Sequence, residues 1–245
     1  MRKQMLEELG LLPRWERRSL SSSVQHVAEP EVSEQPILPS QAATASAIVP
    51  QPPLNEAVIA KMSWQNLQEI VSTCQQCALA AERTQTVFGV GDREADVFLV
   101  GEGPGSEEDR QGEPFVGPAG KLLDAMLASI ELRRGQGVYI ANIVKCRPPQ
   151  NRNPQPEEAR VCLTYLRRQL ALVKPRLIVA LGGVAAANLL QNDVSVGKLR
   201  QRLHDYEGTP LVVTYHPAYL LRAPSEKRKS WDDLRLIRRL IASTP

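Results

Sequence analysis

Five carboxylates crowd one glycine-rich stretch of this sequence. In VGEGPGSEEDRQGEPFVGPAG, Val100 to Gly120, the residues Glu102, Glu107, Glu108, Asp109 and Glu113 stand against a single Arg110. The glycine spacing is that of a phosphate-cradling loop. A dinucleotide fingerprint, however, opens directly into a helix with surroundings that welcome an anion, and Pro104 and the acids contradict both requirements. What remains is a plain structural turn, or a site for a neutral or cation-like reacting group. In the second case Glu102 faces developing positive charge while backbone amides hold a nearby polar edge. Phe115, one of three phenylalanines in the chain, sits in the same loop. An aromatic there is either a platform on which a base stacks or the anchor of its own loop. His216, followed by Pro217 after an apolar run, is better placed for chemistry than His26 or His204, although a lone histidine is usually just a hydrogen-bonded one.

The four cysteines form a second group. Cys74-x2-Cys77 is a chelating pair, and Cys146 and Cys162 flank a proline-rich loop without forming a second tight pair. Four thiolates suit tetrahedral zinc or an iron–sulfur cluster, and buried core thiols are the alternative. A metal site of this kind would be structural, tying an N-terminal helix to later elements close to the candidate catalytic face.

Positioning these groups requires a scaffold, and its pattern is readable. Apolar runs at 95–100, 138–144, 176–181 and 210–215 read as strands, the first and third too continuous for a sheet with one wet face. Helical periodicity separates them: Leu122, Leu123, Met126 and Leu127; Val161, Tyr165, Leu166 and Leu170; then Val184 to Leu190. Ser63 caps an earlier helix, with Leu67, Ile70 and Val71 on one face, that delivers Cys74 and Cys77. A last helix carries Trp231, Leu234, Ile237 and Ile241. Strand–helix repetition implies a parallel α/β sheet covered on both faces, with working residues on loops beyond the carboxyl ends of the strands.

Composition bounds the rest. The 245 residues, 42% of them hydrophobic, suit one domain with an appendage, and the net charge of +3 is too weak to claim nucleic acid by itself. The charge is concentrated, with ten Lys/Arg against five Asp/Glu from Lys198 to Arg239. Residues Ser19 to Pro53 hold six prolines and no Lys, Arg or aromatic residue, the composition of a flexible linker. The expected organisation is a short helical docking peptide at 1–18, a linker at 19–55 and a globular domain at 56–245. No apolar run approaches a membrane span and the N-terminus lacks a secretory core, so a cytoplasmic protein is expected. Neither a nucleophile elbow nor a Walker lysine appears.

Taken together, CQQCAL, TVFGVGD, the acidic glycine loop, YIANIVKCRPPQNRNPQPEEARVC, KPRLIVALGG and YHPAYLLR resemble the family 4, iron–sulfur-containing, uracil-DNA glycosylases, from about Cys74 to Arg222. The resemblance implies a three-layer α/β/α fold with a four-stranded parallel sheet. It also implies a 4Fe-4S cluster on Cys74, Cys77, Cys146 and Cys162, with zinc the lesser alternative. In the implied pocket Phe115 stacks on uracil, Asn142 reads its edge, Glu102 and Gly103 form the first motif and His216 belongs to the second. Glu108 and Asn151 match further polar positions, Glu108 as an aid to Glu102 in catalysis. The segment Tyr219, Leu220, Leu221 and Arg222 would enter the DNA helix and hold a phosphate.

These implied roles make physical sense of the acids. Base excision creates an oxocarbenium-like sugar, which Glu102 opposes, and a uracil anion, to which His216 donates. No lysine stands in the matched pocket positions, so a monofunctional glycosylase acting on uracil-containing DNA is expected, as a monomer. The N-terminal LGLLPRWERR also resembles the docking peptide of the psi subunit of the DNA polymerase III clamp loader, through Leu9, Gly10, Trp15, Arg17 and Arg18, with one extra residue between Gly10 and Trp15. The rival expectation is therefore a replisome accessory subunit whose glycosylase-like domain binds DNA or protein without catalysis.

Overall fold

A computed structural model describes residues 55–243 of the chain. The docking peptide expected at 1–18 and all but the last residue of the linker expected at 19–55 lie outside the described residues. Six strands form one sheet: β1 (Val90–Gly91), β2 (Val97–Gly101), β3 (Val138–Asn142), β4 (Leu177–Leu181), β5 (Leu203–Tyr206) and β6 (Thr209–Thr214), in the order β1-β3-β2-β4-β6-β5. The helices are α1 (Glu56–Ile59), α2 (Trp64–Ser72), α3 (Ser106–Gln111), α4 (Pro118–Ala128), α5 (Pro156–Val173), α6 (Gly183–Leu190), α7 (Val196–Leu199), α8 (Pro217–Arg222) and α9 (Lys227–Ala242).

The sheet corrects one expectation. The strands read from the apolar runs are β2, β3, β4 and β6, which pair in parallel, but two antiparallel edges extend them to a mixed six-stranded sheet. The edges escaped detection because β1 is two residues long and β5, LHDY, is mostly solvent-facing, with Leu203 56% exposed. An edge strand needs no continuous apolar run, whereas β2, β3 and β4 are buried at every position because both of their faces are covered.

Alternation along the strands divides the core in two. Val97, Leu99, Val138 and Ile140 pack with Leu123, Met126 and Leu127 of α4 and with Leu234 and Ile237 of α9. Phe98, Val100, Tyr139 and Ala141 face Leu67 and Val71 of α2 and Ala159 and Leu166 of α5. Burying each of these large apolar side chains contributes about 1.5–3 kcal/mol. Trp231 departs from the expected apolar face of α9 and is 44% exposed. Ser63 caps α2 as expected, its Oγ accepting from the Asn66 amide at 3.2 Å.

Register decides where the chemistry gathers. Gly101 at the end of β2 pairs with Asn142 at the end of β3, and Leu181 of β4 pairs with Thr214 of β6, two residues before His216. The carboxyl ends of all four parallel strands therefore finish in one row.

Candidate active site

A cavity of about 410 Å³ opens along that row. Glu102, Gly103, Glu108, Phe115, Asn142 and His216 line its interior, and Asn151, Tyr219 and Arg222 also contribute to its wall. Residues from five separate stretches of sequence thus meet at one place.

Asn142 is 1% exposed, and its side-chain Oδ1 has no hydrogen-bond partner. A buried acceptor left unpaired costs about 1–3 kcal/mol, so its presence at the cavity wall marks a position reserved for a donor. Gly101 makes room for it: a Cβ there would lie 2.6 Å from Phe115 Cζ and closer still to Asn142 Oδ1. Phe115 itself adopts φ 57°, the left-handed region that a phenylalanine rarely occupies, at a strain of about 1–3 kcal/mol. Arg134 holds it there. Its guanidinium donates to the Pro114 and Phe115 carbonyls, each at 2.7 Å, and to Asp124 at 3.1 Å. Gly120 completes the cradle, since a side chain at that position would run into the Phe115 carbonyl. Nothing in the local sequence ELRRGQG distinguishes Arg134 from a solvated base.

His216 caps α8 with its ring. Nδ1 accepts from the Ala218 amide at 3.1 Å, which places the imidazole proton on Nε2. Burial and the nearby Arg222 push its pKa down to about 4, so the ring is neutral near pH 7 and still a donor. It lies 5.4 Å from the Phe115 ring, tilted by 33°. Gly182, at φ 92°, leaves space for it, because a Cβ there would lie 2.9 Å from His216 Cβ. Burial raises the Glu102 carboxyl above its ordinary pKa, as befits a carboxylate kept out of bulk water.

Glu108, expected to aid Glu102, lines the cavity and also binds main-chain amides. One of its carboxylate oxygens accepts from the Val116 and Gly117 amides at 2.9 and 3.0 Å, and the other from the Gly105 amide at 3.1 Å. With three amides bound, this carboxylate folds the acidic loop around Phe115. Asp109 is likewise structural, accepting from the Thr84 amide at 2.9 Å. Glu108 thus organises the loop's own backbone, and Asp109 ties the loop to the segment at Thr84.

The expected DNA-facing segment divides by exposure. Tyr219 and Leu221 are 38% and 44% exposed on α8, but Leu220 is 1% exposed and packs in the core. Alternation around a six-residue helix turns one of three consecutive residues inward. Asn151 lies on the exposed rim, its Oδ1 accepting from Arg147 Nε at 2.8 Å.

The four thiols meet donors. Arg83 donates to Cys146 Sγ at 3.0 Å, the Lys145 amide to Cys162 Sγ at 3.2 Å, and the Tyr165 hydroxyl to Cys74 Sγ at 3.3 Å. The Leu79 amide bonds to Cys77. Burial raises the thiols of Cys77, Cys146 and Cys162, that of Cys146 to about 11, so a bound cation is needed to hold these three as thiolates near pH 7. Among the described residues, no three Cys, His, Asp or Glu side chains are gathered as a single metal ion requires. Four cysteine sulfurs are the donor set that an iron–sulfur cluster uses.

Comparison with known proteins adds to this geometry. Residues 88–235 match the family described as the uracil DNA glycosylase superfamily. The type-4 uracil-DNA glycosylase of Pyrobaculum aerophilum is 41% identical over 184 residues, spanning 71% of this chain and 92% of that protein. Those of Archaeoglobus fulgidus and Thermotoga maritima are 43% and 44% identical, covering 70% and 66% of this chain and 89% and 88% of theirs.

Proposed function

This chain belongs to the uracil DNA glycosylase superfamily, and from that premise we propose that it hydrolyses the N-glycosidic bond of a flipped-out deoxyuridine, leaving an abasic site for base excision repair. The observation that carries the reading is the unpaired, buried Oδ1 of Asn142 beside Phe115. Uracil supplies what is missing. Its N3–H donates to Oδ1 while its O4 accepts from Nδ2; cytosine offers the opposite pattern and leaves both groups unpaired.

The other groups divide the charge that develops. Phe115 holds the face of the base, and flipping costs a few kcal/mol of unstacking, less in single strands. As the bond breaks, negative charge grows on the uracil, and neutral His216 donates from Nε2 to O2. Glu102, the carboxylate without the amide partners that occupy Glu108, orients water and opposes the cationic sugar. No pocket lysine is available for a Schiff base, which supports a monofunctional hydrolase.

Cys74, Cys77, Cys146 and Cys162 would hold a 4Fe-4S cluster, which supplies a structural cross-link and no step of the hydrolysis. Tyr219 and Leu221 would fill the gap left by the flipped base, and Arg222 would meet a phosphate. The uracil-containing strand is then the one partner the reading requires, and the chain works as a cytoplasmic monomer. The comparisons give no support to the rival of a non-catalytic replisome subunit. A docking role for residues 1–18 remains a separate proposal, tested by deleting them and measuring clamp-loader binding with excision intact.

The test of the pocket exchanges the reading group. Asn142→Asp should lower the rate on uracil relative to cytosine by about 10- to 100-fold, the range for leaving one or two buried groups mispaired. The check is base release from matched uracil and cytosine oligonucleotides. An unchanged ratio would contradict the assignment of Asn142.

A further inference from the structure

Lys145 is 1% exposed, and no step of the pocket chemistry uses it. Burying an ammonium costs several kcal/mol even after relaxation, and an apolar side chain of similar volume often fills such a position with better stability. Its partners show what the charge does. Nζ donates to the main-chain oxygen of Asn142 at 3.0 Å and to Oε1 of Gln169 at 2.6 Å. Gln169 is itself fully buried on α5, and its Nε2 donates to the Phe88 carbonyl at 3.0 Å, so the acceptor that aims Nζ is fixed from a second element. The Lys145 amide points the other way, to Cys162 Sγ at 3.2 Å, and the next residue is Cys146. One residue therefore grips the pocket wall with its side chain and the four-cysteine site with its main chain.

We propose that Lys145 is a positioning residue for uracil selection, fixing the main chain of Asn142, and hence the aim of its buried side chain, against the cysteine-bearing loop. The inference rests on the glycosylase reading of the pocket. Lys145 never touches the base. It acts at the carbonyl of the residue that does, where a misplacement of about 1 Å is enough to spoil a buried hydrogen-bond pair. It also gives a physical reason for the four-cysteine site to lie beside a pocket whose chemistry does not need it: the site braces the end of β3.

The test uses the full chain and equilibrium binding to single-stranded oligonucleotides that contain one 2′-fluoro-2′-deoxyuridine or one 2′-fluoro-2′-deoxycytidine, whose glycosidic bonds resist hydrolysis. The quantity read is the ratio of the two Kd values. Lys145→Met should lower the preference for uracil by about tenfold, the upper range for one hydrogen bond. In an Asn142→Ala background the same substitution should change the ratio by less than about twofold, because it acts through Asn142. A lysine that merely stabilised the fold would weaken both complexes alike and leave the ratio unchanged, and that result would overturn the proposal, as would equal losses in both backgrounds. Should Lys145→Met fail to fold, Gln169→Leu makes the same test without altering the chain beside Cys146. Additive losses with Gln169→Leu would equally overturn it. An unsubstituted chain with no preference for uracil would overturn the glycosylase reading together with this inference, a result distinct from additivity.

Discussion

The pocket and the four-cysteine site lie close together, yet they treat buried polar groups in opposite ways. In the pocket, Asn142 Oδ1 is left without a partner, the Nε2 proton of His216 is free to meet a ligand, and Glu102 is raised by burial alone. Around the cysteines each sulfur already meets a donor, from Arg83, Lys145, Tyr165 or Leu79. An unpaired buried group is tolerable where a ligand comes and goes and completes it in each turnover. A permanent occupant instead requires a shell that is complete beforehand. Substitutions in the first region should therefore cost activity, and substitutions in the second should cost stability.

The largest effect expected is that of His216→Ser, a fall in kcat of about 10²–10³-fold, as for loss of one donor to a developing anion. The same substitution should leave the fold intact and make it more tolerant of acid. Folded His216 titrates at about 4 and the unfolded residue at its ordinary 6.5, so between these values the unfolded chain takes up a proton that the folded chain refuses. Stability from this residue is thus lost as pH falls from 6.5 towards 4, by up to about 3 kcal/mol, and His216→Ser should abolish that part of the dependence. Thermal melts of both proteins at pH 7 and pH 5 check the sign. A variant that is inactive and equally acid-sensitive would place the titration elsewhere.

Arg83→Met tests the other region. Loss of a charged donor to sulfur should lower the melting temperature by roughly 3–10 °C and speed loss of the visible cluster absorption, with excision per folded molecule unchanged. A fall in excision larger than the fall in folded protein would erase the contrast. The smallest effect expected is that of Arg134→Ala. Releasing the Phe115 carbonyl should raise KM for a uracil oligonucleotide by about three- to tenfold with little change in kcat, within the range for weakening one base–aromatic stack. A fall in kcat with constant KM would assign Arg134 to the chemical step instead.

Legibility followed the kind of signal each element carries. The four parallel strands were readable because burial on both faces writes a continuous apolar run, and the loops at their carboxyl ends then pointed to Glu102, Phe115 and His216, whereas Asn142 was named by the family resemblance. The edges β1 and β5 were not readable, since neither needs such a run. The acids of the glycine loop were legible as a group but not by role: Glu102 and Glu108 look alike in sequence, and only folding shows that three amides occupy one of them. Leu220 points inward and Trp231 outward for reasons that belong to packing. Arg134 was invisible because its partners are main-chain carbonyls some twenty residues away. Lys145 did leave a trace: it interrupts the buried stretch from Val138 to Cys146, where a lysine has nowhere to go but inside.

The most direct measurement of the central claim incubates the purified full chain, in EDTA, with a labelled single-stranded oligonucleotide holding one uracil, followed by alkali to cut abasic sites. The account predicts cleavage at the uracil position, none in a thymine control, and loss of cleavage in His216→Ser. An intact uracil strand, with a folded protein whose cluster is confirmed by visible absorption, would contradict it.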